Sequence, residues 1–445
     1  MIQKFAEIFE SPDLRRKILF TLGAIAIFRV GAAIPIPGIN ADALRSIFQT
    51  GGILNFLNMF SGGALSQFSI FSMGVMPYIN ASIIMSLLQG AHVLPYLDRL
   101  AKEGELGRRK LNQLTRYLTV FLATFQSFGL TIAITKMQPP GGGMSVVSDP
   151  TWGFYLLTVL TLTAGTIFVM WLGEQITEQG IGNGVSLIIF SGIVDRIPGA
   201  ARDFIGLIQA EELGLLKAIM IVLAILAMVT VTLWVETAQR KIPVQYAKRV
   251  VGRKMYGGAQ SYLPLKVDQS GVIAVIFAGS LLAVPMTITS FTPQTTPWVQ
   301  GMQDFLNRGN WIYQILYAGL IIFFCYFYNS VSINPVDLAE NMKKSGGFIP
   351  GYRPGESTAK YIEWVLERIT LGGALFVAAV CVLPDVAQKY LNLPFYLGGT
   401  ALLIVVGVAL DTMGQLEAQL IMRHYEGFLK KGRLRTRWFN VGAPS

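Results

Sequence analysis

Four side chains in this chain are of the types that most often do chemistry: two histidines and two cysteines, namely His92, His424, Cys325 and Cys381. Nucleophilic or metal-assisted catalysis requires such groups within hydrogen-bond or coordination distance of one another. These four are isolated along the chain, and no HExxH, P-loop or GxGxxG phosphate-binding motif accompanies them. The two cysteines form neither a disulfide framework nor a metal set. The sequence therefore predicts no catalytic residue, no metal site and no cofactor.

The segment from Met59 to Gly90 carries a different kind of information, because it begins as a membrane helix and is then interrupted. Glycine and serine dilute its first third, Gly74 and Pro77 break its middle, and an aliphatic run returns only from Ile79. Backbone that leaves helical geometry at membrane depth must be buried in protein or face water, because hydrocarbon cannot satisfy its N–H and C=O groups. The segment is therefore predicted to belong to a pore or a binding site.

The composition places these residues in a membrane protein. The chain has 445 residues, of which 52% are hydrophobic and 14% are charged, whereas soluble proteins have roughly 25% charged residues. A span needs about 20 apolar residues, and ten candidates predict an all-α polytopic membrane protein. They lie near 18–37, 70–90, 114–135, 153–172, 183–204, 215–235, 271–291, 311–330, 369–386 and 395–412.

Three of these spans are atypical. The first resembles a cleavable signal peptide in its pattern. Arg29 within it nevertheless favours an uncleaved span that stays in the mature protein. The fifth has only a short apolar run, which ends at Val194. The seventh contains Gly279 and Pro285. It is the second of the last five spans, just as the interrupted span is the second of the first five. Two broken helices at matching positions are typical of an inverted repeat.

The basic residues predict the orientation. About 28 of the 36 Lys and Arg residues fall in the two termini and in the loops that share a side with them. Lys and Arg in short loops stay on the cytoplasmic side of a membrane. Both termini are therefore predicted to be cytoplasmic.

Charged groups at membrane depth are few, and they bear on the choice between a conduit and a coupled transporter. Outside the fifth span, Arg29 is the only charge well inside a predicted span, and Glu174, Asp195 and Asp411 lie near predicted span ends. Arg29 is expected to snorkel or to contact a backbone carbonyl. Coupled transport usually requires ionisable groups in the bilayer. The pattern favours a passive conduit, and a secondary transporter with a discontinuous-helix substrate site is the alternative.

Two long loops on the cytoplasmic side, 236–270 and 331–368, concentrate positive charge. In the first, residues 242–244 and 249–251 are predicted to pair as a short hairpin. In the second, Pro-Gly pairs hold Arg353 on a tight turn. The charges could serve only to orient the protein and to contact anionic lipid, or they could dock a large acidic partner. The length of the loops favours docking.

Long stretches of the sequence resemble the bacterial SecY family, whose members are the central subunit of the protein-conducting channel of the Sec pathway. The resemblance covers nearly the whole chain, and its motifs include FRVGAAIPIPGI at 28–39, NMFSGGALSQFSIFSMGVMPYI at 58–79, MWLGEQITEQGIGNGVSLIIF at 170–190 and NPVDLAENMKKSGGFIPGYRPGESTAKYI at 334–362. It implies ten transmembrane helices in two pseudo-symmetric halves around a central pore. The halves would be 1–205 and 206–430, followed by a basic tail at 431–445.

The same resemblance implies residue roles. A plug at about residues 60–73 would close the pore from the outer side, with Gly62, Gly63, Ser66 and Phe68 within it. A narrow ring of aliphatic side chains would seal the pore against ions, since such side chains cannot replace an ion's hydration shell. Matching positions assign this ring to Val75, Ile79, Val185, Ile189, Ile276 and Ile404.

The resemblance also implies a lateral gate and partners. Asn80 and Gln126 match polar positions at the seam through which apolar segments leave, where an interhelical hydrogen bond of roughly 0.5–2 kcal/mol would act as a weak latch. Arg253, Lys254 and Arg353 match positions that dock a SecA motor ATPase or the ribosome. Other implied partners are SecE-like and SecG-like small membrane subunits, signal sequences, unfolded polypeptides and anionic lipid. The implied location is the bacterial plasma membrane.

Overall fold

The computed structural model shows a mostly helical protein. It describes residues 12–40, 43–44, 58, 61–90, 94–136, 146–147, 150–210, 214–246, 249–251, 254–256, 260–290, 301–302, 305, 310–391 and 398–436. The helices in this part of the chain are α1 Pro12–Ala33, α2 Met76–Gly90, α3 Pro95–Lys102, α4 Glu105–Lys136, α5 Trp152–Gln179, α6 Gly184–Val194, α7 Ile197–Gln209, α8 Leu215–Thr237, α9 Val272–Ser290, α10 Trp311–Ser332, α11 Pro335–Lys344, α12 Glu356–Leu391 and α13 Gly399–Thr436.

Helices occupy all ten predicted span positions. Seven segments of the described chain are long and apolar enough to cross a membrane, and α9 is apolar over a shorter stretch, Val272–Pro285. The seven are Glu105–Lys136, Trp152–Gln179, Gly184–Gln209, Leu215–Thr237, Trp311–Lys344, Glu356–Val386 and Gly399–Met422. The polytopic helical fold is thus confirmed, and the count of ten spans is consistent with it.

The first residues of several helices explain where those helices begin. The side chain of Asn183 accepts hydrogen bonds from the backbone N–H groups of Val185 and Ser186 at the start of α6. Asn310 and Asn334 cap α10 and α11 in the same way. Such caps satisfy N–H groups that have no partner within the helix.

The fifth predicted span is divided in the structure. The helix α6 ends at Val194, a turn follows at Asp195 and Arg196, and α7 begins at Ile197 with Pro198 in its first turn. Proline fits the first turn of a helix but cannot continue a preceding one. The helix α7 contains no residue that the protein buries, so the buried part of this span is the short α6.

The predicted break in the seventh span is wrong. The helix α9 runs without interruption from Val272 to Ser290 and contains both Gly279 and Pro285. Neighbouring helices and local adjustments re-satisfy the backbone groups that proline frees in membrane helices, so Pro285 alone does not end the helix. The second and seventh spans are therefore not a pair of broken helices at matching positions.

The two long loops fold together into one small sheet. Strand β1 Gln239–Tyr246 pairs antiparallel with β4 Gln260–Lys266 and also with β5 Gly347–Phe348 from the second loop. Between β1 and β4, β2 Arg249–Val251 pairs with β3 Lys254–Tyr256. The predicted hairpin of 242–244 with 249–251 is therefore wrong, because the chain forms two nested hairpins. Ile242, Leu265, Ile349 and Ile362 bury the inner face of this unit.

Candidate functional site

The segment between α1 and α2 is folded into tight turns. We use the name plug segment for residues 61–73, the described part of the predicted plug; Phe60 lies outside the described residues. Gly62 and Gly63 have φ values of 68° and 90°, and a short 3-10 helix follows at Ala64–Gln67. Phe68 is fully buried and also has a positive φ, 45°. The interruption predicted at the start of the second span is confirmed, and α2 begins only at Met76.

Hydrogen bonds within the plug segment hold these turns together. Ser66 Oγ donates to the Gly63 carbonyl at 2.7 Å. Ser72 Oγ donates to the carbonyls of Ala64 at 3.1 Å and Ser69 at 2.7 Å. Ser66 and Ser72 therefore satisfy backbone oxygens that the missing helix would otherwise have used, whereas Ser69 Oγ is buried without a hydrogen-bond partner.

The plug segment is also joined to its surroundings. The backbone N–H of Ile36 donates to the Phe68 carbonyl at 3.0 Å, and that of Ile70 donates to the Ile34 carbonyl at 3.1 Å. The ring of Phe71 stacks between Phe28 of α1 and Phe168 of α5, at centroid distances of 5.9 and 5.6 Å. The segment is thus a buried, ordered part of the structure.

The six predicted ring residues meet in one apolar cluster. Val75 immediately precedes α2, and the other five come from α2, α6, α9 and α13. Five of the six are buried, and Val185 is partly buried against the same cluster. The plug segment contributes Ala64 and Phe71 to this cluster. The structure therefore brings all six positions together beside the plug segment; their pore role stays a prediction. The six are Val75, Ile79, Val185, Ile189, Ile276 and Ile404.

The predicted gate residues lie on helices that pack together. Asn80 of α2 and Gln126 of α4 are both buried, and α9 packs against both helices. No hydrogen bond joins these two side chains, both of which the structure describes. Gly90, at the end of α2, lies against Phe327 and Val331 of α10: a Cβ placed on it would be 2.8 Å from the Phe327 ring. Gly90, Phe327 and Val331 thus pack α2 against α10; the gate role of Asn80 and Gln126 stays a prediction.

The predicted docking residues lie in the two long loops. Arg353 is exposed on the turn before α12, where its carbonyl accepts a hydrogen bond of 2.8 Å from Thr358 Oγ1. Lys254 begins β3, and Arg253 lies outside the described residues. The sheet formed by β4, β1 and β5 joins the two loops. The sequence did not reveal this connection, because strand β5 is only two residues long.

The charged groups near the span ends are paired with cations. Arg116 Nη2 lies 2.8 Å from Glu174 Oε2, and Lys266 Nζ lies 3.8 Å from Asp411 Oδ1. Arg29 Nη1 lies 3.2 Å from Asp195 Oδ2 and donates to the Gly62 carbonyl at 2.9 Å. The predicted carbonyl contact of Arg29 is therefore present. Among the described residues, no three His, Cys, Asp or Glu side chains are grouped to hold a metal ion.

Comparison with known proteins decides the family. The family model described as SecY matches residues 69–413. The chain belongs to the SecY family. It is 45% identical over 434 residues to the protein translocase subunit SecY of Aquifex aeolicus, covering 97% of this chain and 100% of that protein. It is 46% identical over 427 residues to that of Escherichia coli K12, covering 95% of each chain.

Solved structures agree on the fold. A structure described as a protein-conducting channel superposes with a TM-score of 0.66 at 17% sequence identity, covering 92% of this chain and 93% of that one. Canine Sec61, in a ribosome-channel complex from the endoplasmic reticulum, gives a TM-score of 0.63 at 16% identity, covering 92% of this chain and 93% of that one. Membership in the SecY family makes this chain a membrane translocase subunit with a transport role. The comparisons give no support to the secondary-transporter alternative.

Proposed function

We propose that this chain forms the pore through which unfolded secretory polypeptides cross the bacterial plasma membrane, and that it releases apolar segments sideways into the lipid. The observation that carries the proposal is the apolar cluster in which the six ring positions meet beside the plug segment. A constriction lined only by aliphatic side chains excludes hydrated ions, because it offers no replacement for their water. The same side chains can close around a passing polypeptide without recognising its sequence.

The plug segment supplies the second part of this function. It is buried, is held by backbone hydrogen bonds to residues 34–36, and continues directly into Val75 and α2. The helix α2 also contributes Ile79 to the cluster and Asn80 to the predicted gate seam. A movement of α2 would therefore affect the plug, the ring and the gate together. The lateral gate is assigned to the seam where α2 and α4 meet α9, and α2 meets α10 near Gly90.

The cytoplasmic unit supplies the partner surface. Arg353 projects from a turn whose glycines, Gly351 and Gly355, have φ values of 88° and 110°. This turn and the strand β5 follow α11 in the second loop, and β5 pairs with β1 of the first loop. We assign this surface, with Arg253, Lys254 and Arg353, to a SecA-type motor or a ribosome. SecE-like and SecG-like subunits would complete the channel, and both chain termini would be cytoplasmic.

The proposal is tested by reconstituting the chain with its small subunits in lipid vesicles. An unfolded secretory precursor is added with the motor ATPase and ATP, and the fraction of precursor protected from external protease is measured. We expect a protected fraction that requires both the channel and ATP. A precursor with a disulfide-locked folded domain serves as the control, because it should stall. Absence of protected precursor, together with saturable uptake of a small solute, would contradict the proposal.

A further inference from the structure

The Arg29 side chain connects three separate parts of the chain. From α1, its Nη1 donates to the carbonyl of Gly62 in the plug segment at 2.9 Å. The same nitrogen lies 3.2 Å from Asp195 Oδ2, at the turn that ends α6. Its Nη2 donates to the carbonyl of Ser191 in α6. One guanidinium group thus holds the plug segment, α6 and α1 at a single point.

The charges around Arg29 make this connection stronger than an ordinary surface contact. The Arg29 side chain is only 24% exposed, whereas Asp195 is 64% exposed. Arg196 is a second partly buried cation, and its guanidinium lies about 3.9 Å from the Cβ position of Gly63. Two cations therefore flank the plug glycines with one carboxylate between them. Hydrogen bonds from an ionised donor are stronger than neutral ones, particularly where water is scarce.

Close backbone contact brings the Gly62 carbonyl within reach of Arg29. A Cβ placed on Gly192 of α6 would lie 2.3 Å from the Cα of Gly62, so the two backbones touch. Gly62 also adopts a left-handed conformation, with φ at 68°. Arginine suits the site because its planar group carries several donors in fixed directions, whereas a lysine ammonium is a single point charge.

We propose that Arg29 is a positioning residue that latches the plug segment in its closed seat, with Asp195 holding the guanidinium in place. This inference rests on the proposed function, because it takes residues 61–73 to be the plug. When the plug moves, the bond from Arg29 to Gly62 breaks. The bonds from Arg29 to Ser191 and Asp195 remain, and they still connect α1 to α6 and the turn that follows it. The Arg29 guanidinium therefore keeps its position and can bond to the Gly62 carbonyl again after a polypeptide has passed.

The test is the resting ion conductance of the complete channel, with its small subunits, in planar bilayers. Loss of one charge-assisted hydrogen bond should raise the population with a displaced plug by roughly tenfold to hundredfold. We expect Arg29→Gln to show frequent openings at rest, and Arg29→Lys to show fewer. Arg202→Gln, on the exposed face of α7, is the matched control and should remain tight.

A double variant separates a latch from a general structural role. A channel lacking residues 61–70 should leak, and Arg29→Gln added to that deletion should cause no further leak, because a latch acts only through the plug. Interacting sites show this kind of non-additivity. An added leak would mean that Arg29 supports α1 and α6 independently, and would overturn the inference.

The remaining outcomes are also decisive. A tight Arg29→Gln channel beside a leaky deletion would overturn the latch and leave the plug assignment standing. If both channels were tight, the plug assignment itself would fail. If Arg29→Gln did not accumulate in the membrane, Arg29→Lys would carry the test, with native-like conductance overturning the latch and an intermediate leak supporting it.

Discussion

Gly62 in the plug segment and Gly192 in α6 are in direct backbone contact, closely enough that a single methyl group on Gly192 would reach 2.3 Å from the Gly62 Cα. Two carbon atoms that are not bonded to each other do not approach this closely, so any side chain at position 192 must displace one of the two backbones. Packed interiors respond to an extra methyl group by local shifts that typically cost about 1–3 kcal/mol.

Gly192→Ala is therefore expected to displace the plug segment and to make the resting channel leak ions. The measurement is the resting conductance of the complete channel in a planar bilayer. Gly199→Ala is the matched control, because a Cβ at Gly199 meets no atom within 4 Å. Equal conductance of the two variants would count against a seat for the plug on α6.

Shortening a ring residue should widen the constriction. Ile276 is buried in the central apolar cluster, whereas Leu281, on the same helix, is exposed. We expect Ile276→Ala to increase ion flux through a channel opened by a stalled polypeptide, because a smaller side chain closes less well around it. The same change at Leu281 should not affect the flux. Identical ion flux through the two variants would argue against Ile276 as part of the ring.

A covalent bond across the predicted gate should block the exit of apolar segments. A Cβ on Gly90 would lie 3.2 Å from Val331 Cγ2, so cysteines at these two positions should be near enough for a disulfide. In a background without Cys325 and Cys381, the pair Gly90→Cys and Val331→Cys is expected to stop membrane insertion of an apolar segment when oxidised. Reduction should restore insertion. Insertion that proceeds through the oxidised channel would place the gate elsewhere.

Reversing the charge at Arg353 should impair docking without affecting the assembly of the channel. Its side chain is exposed on a turn, so Arg353→Glu has little to disturb in the fold. We expect the variant to accumulate normally and to translocate precursor poorly, with weaker and less salt-dependent binding of the motor ATPase. Lys360→Glu, at an exposed position in the first turns of α12, provides a nearby control. Normal secretion by Arg353→Glu would contradict the docking role.

The loop before α9 contains a carboxyl group that should make stability depend on pH. Burial raises the pKa of Asp268, an effect that hydrogen bonds from Ser270 and Gly271 oppose in part. Its carboxyl group is hydrogen-bonded to that of Glu236, and outside this pair Asp268 Oδ2 and Glu236 Oε1 have no hydrogen-bond partner.

Because the pKa of Asp268 is raised by folding, the folded state binds this proton more tightly than the unfolded state. Its contribution to stability is therefore fully present at low pH and is lost as the pH rises through the raised pKa. Asp268→Asn should increase the melting temperature of the purified channel at pH 8, by a margin that shrinks as the pH is lowered. Glu363→Gln, at an exposed position of α12, is the control. A margin that does not change with pH would refute this explanation.

The sequence predicted well where the long apolar helices lie, because about 20 apolar residues are a strong local signal. The interruption before α2 was also predictable, since Gly62, Gly63 and the nearby serines are poor helix formers. The sequence could not show whether Pro285 would interrupt α9, because local sequence does not indicate whether neighbouring helices will support the helix around a proline.

Contacts between distant residues could not be predicted from local patterns. Arg29 binds partners 33 and 166 positions away, and nothing in the pattern around it identifies Gly62 or Asp195. The pairing of β1 with β5 also joins distant segments, since Gln245 and Phe348 are 103 positions apart. The ring positions were assigned through family resemblance alone, because each of them looks like an ordinary packing residue in its own helix.

The most direct test of the account is the resting conductance of the complete channel in a planar bilayer, with and without residues 61–70. The deletion removes most of the plug segment and leaves Val75, Ile79 and the rest of the apolar cluster in the chain. We predict a tight resting channel with the intact chain and a persistent ion leak after the deletion. An unchanged resting conductance would contradict the claim that this segment closes a polypeptide pore.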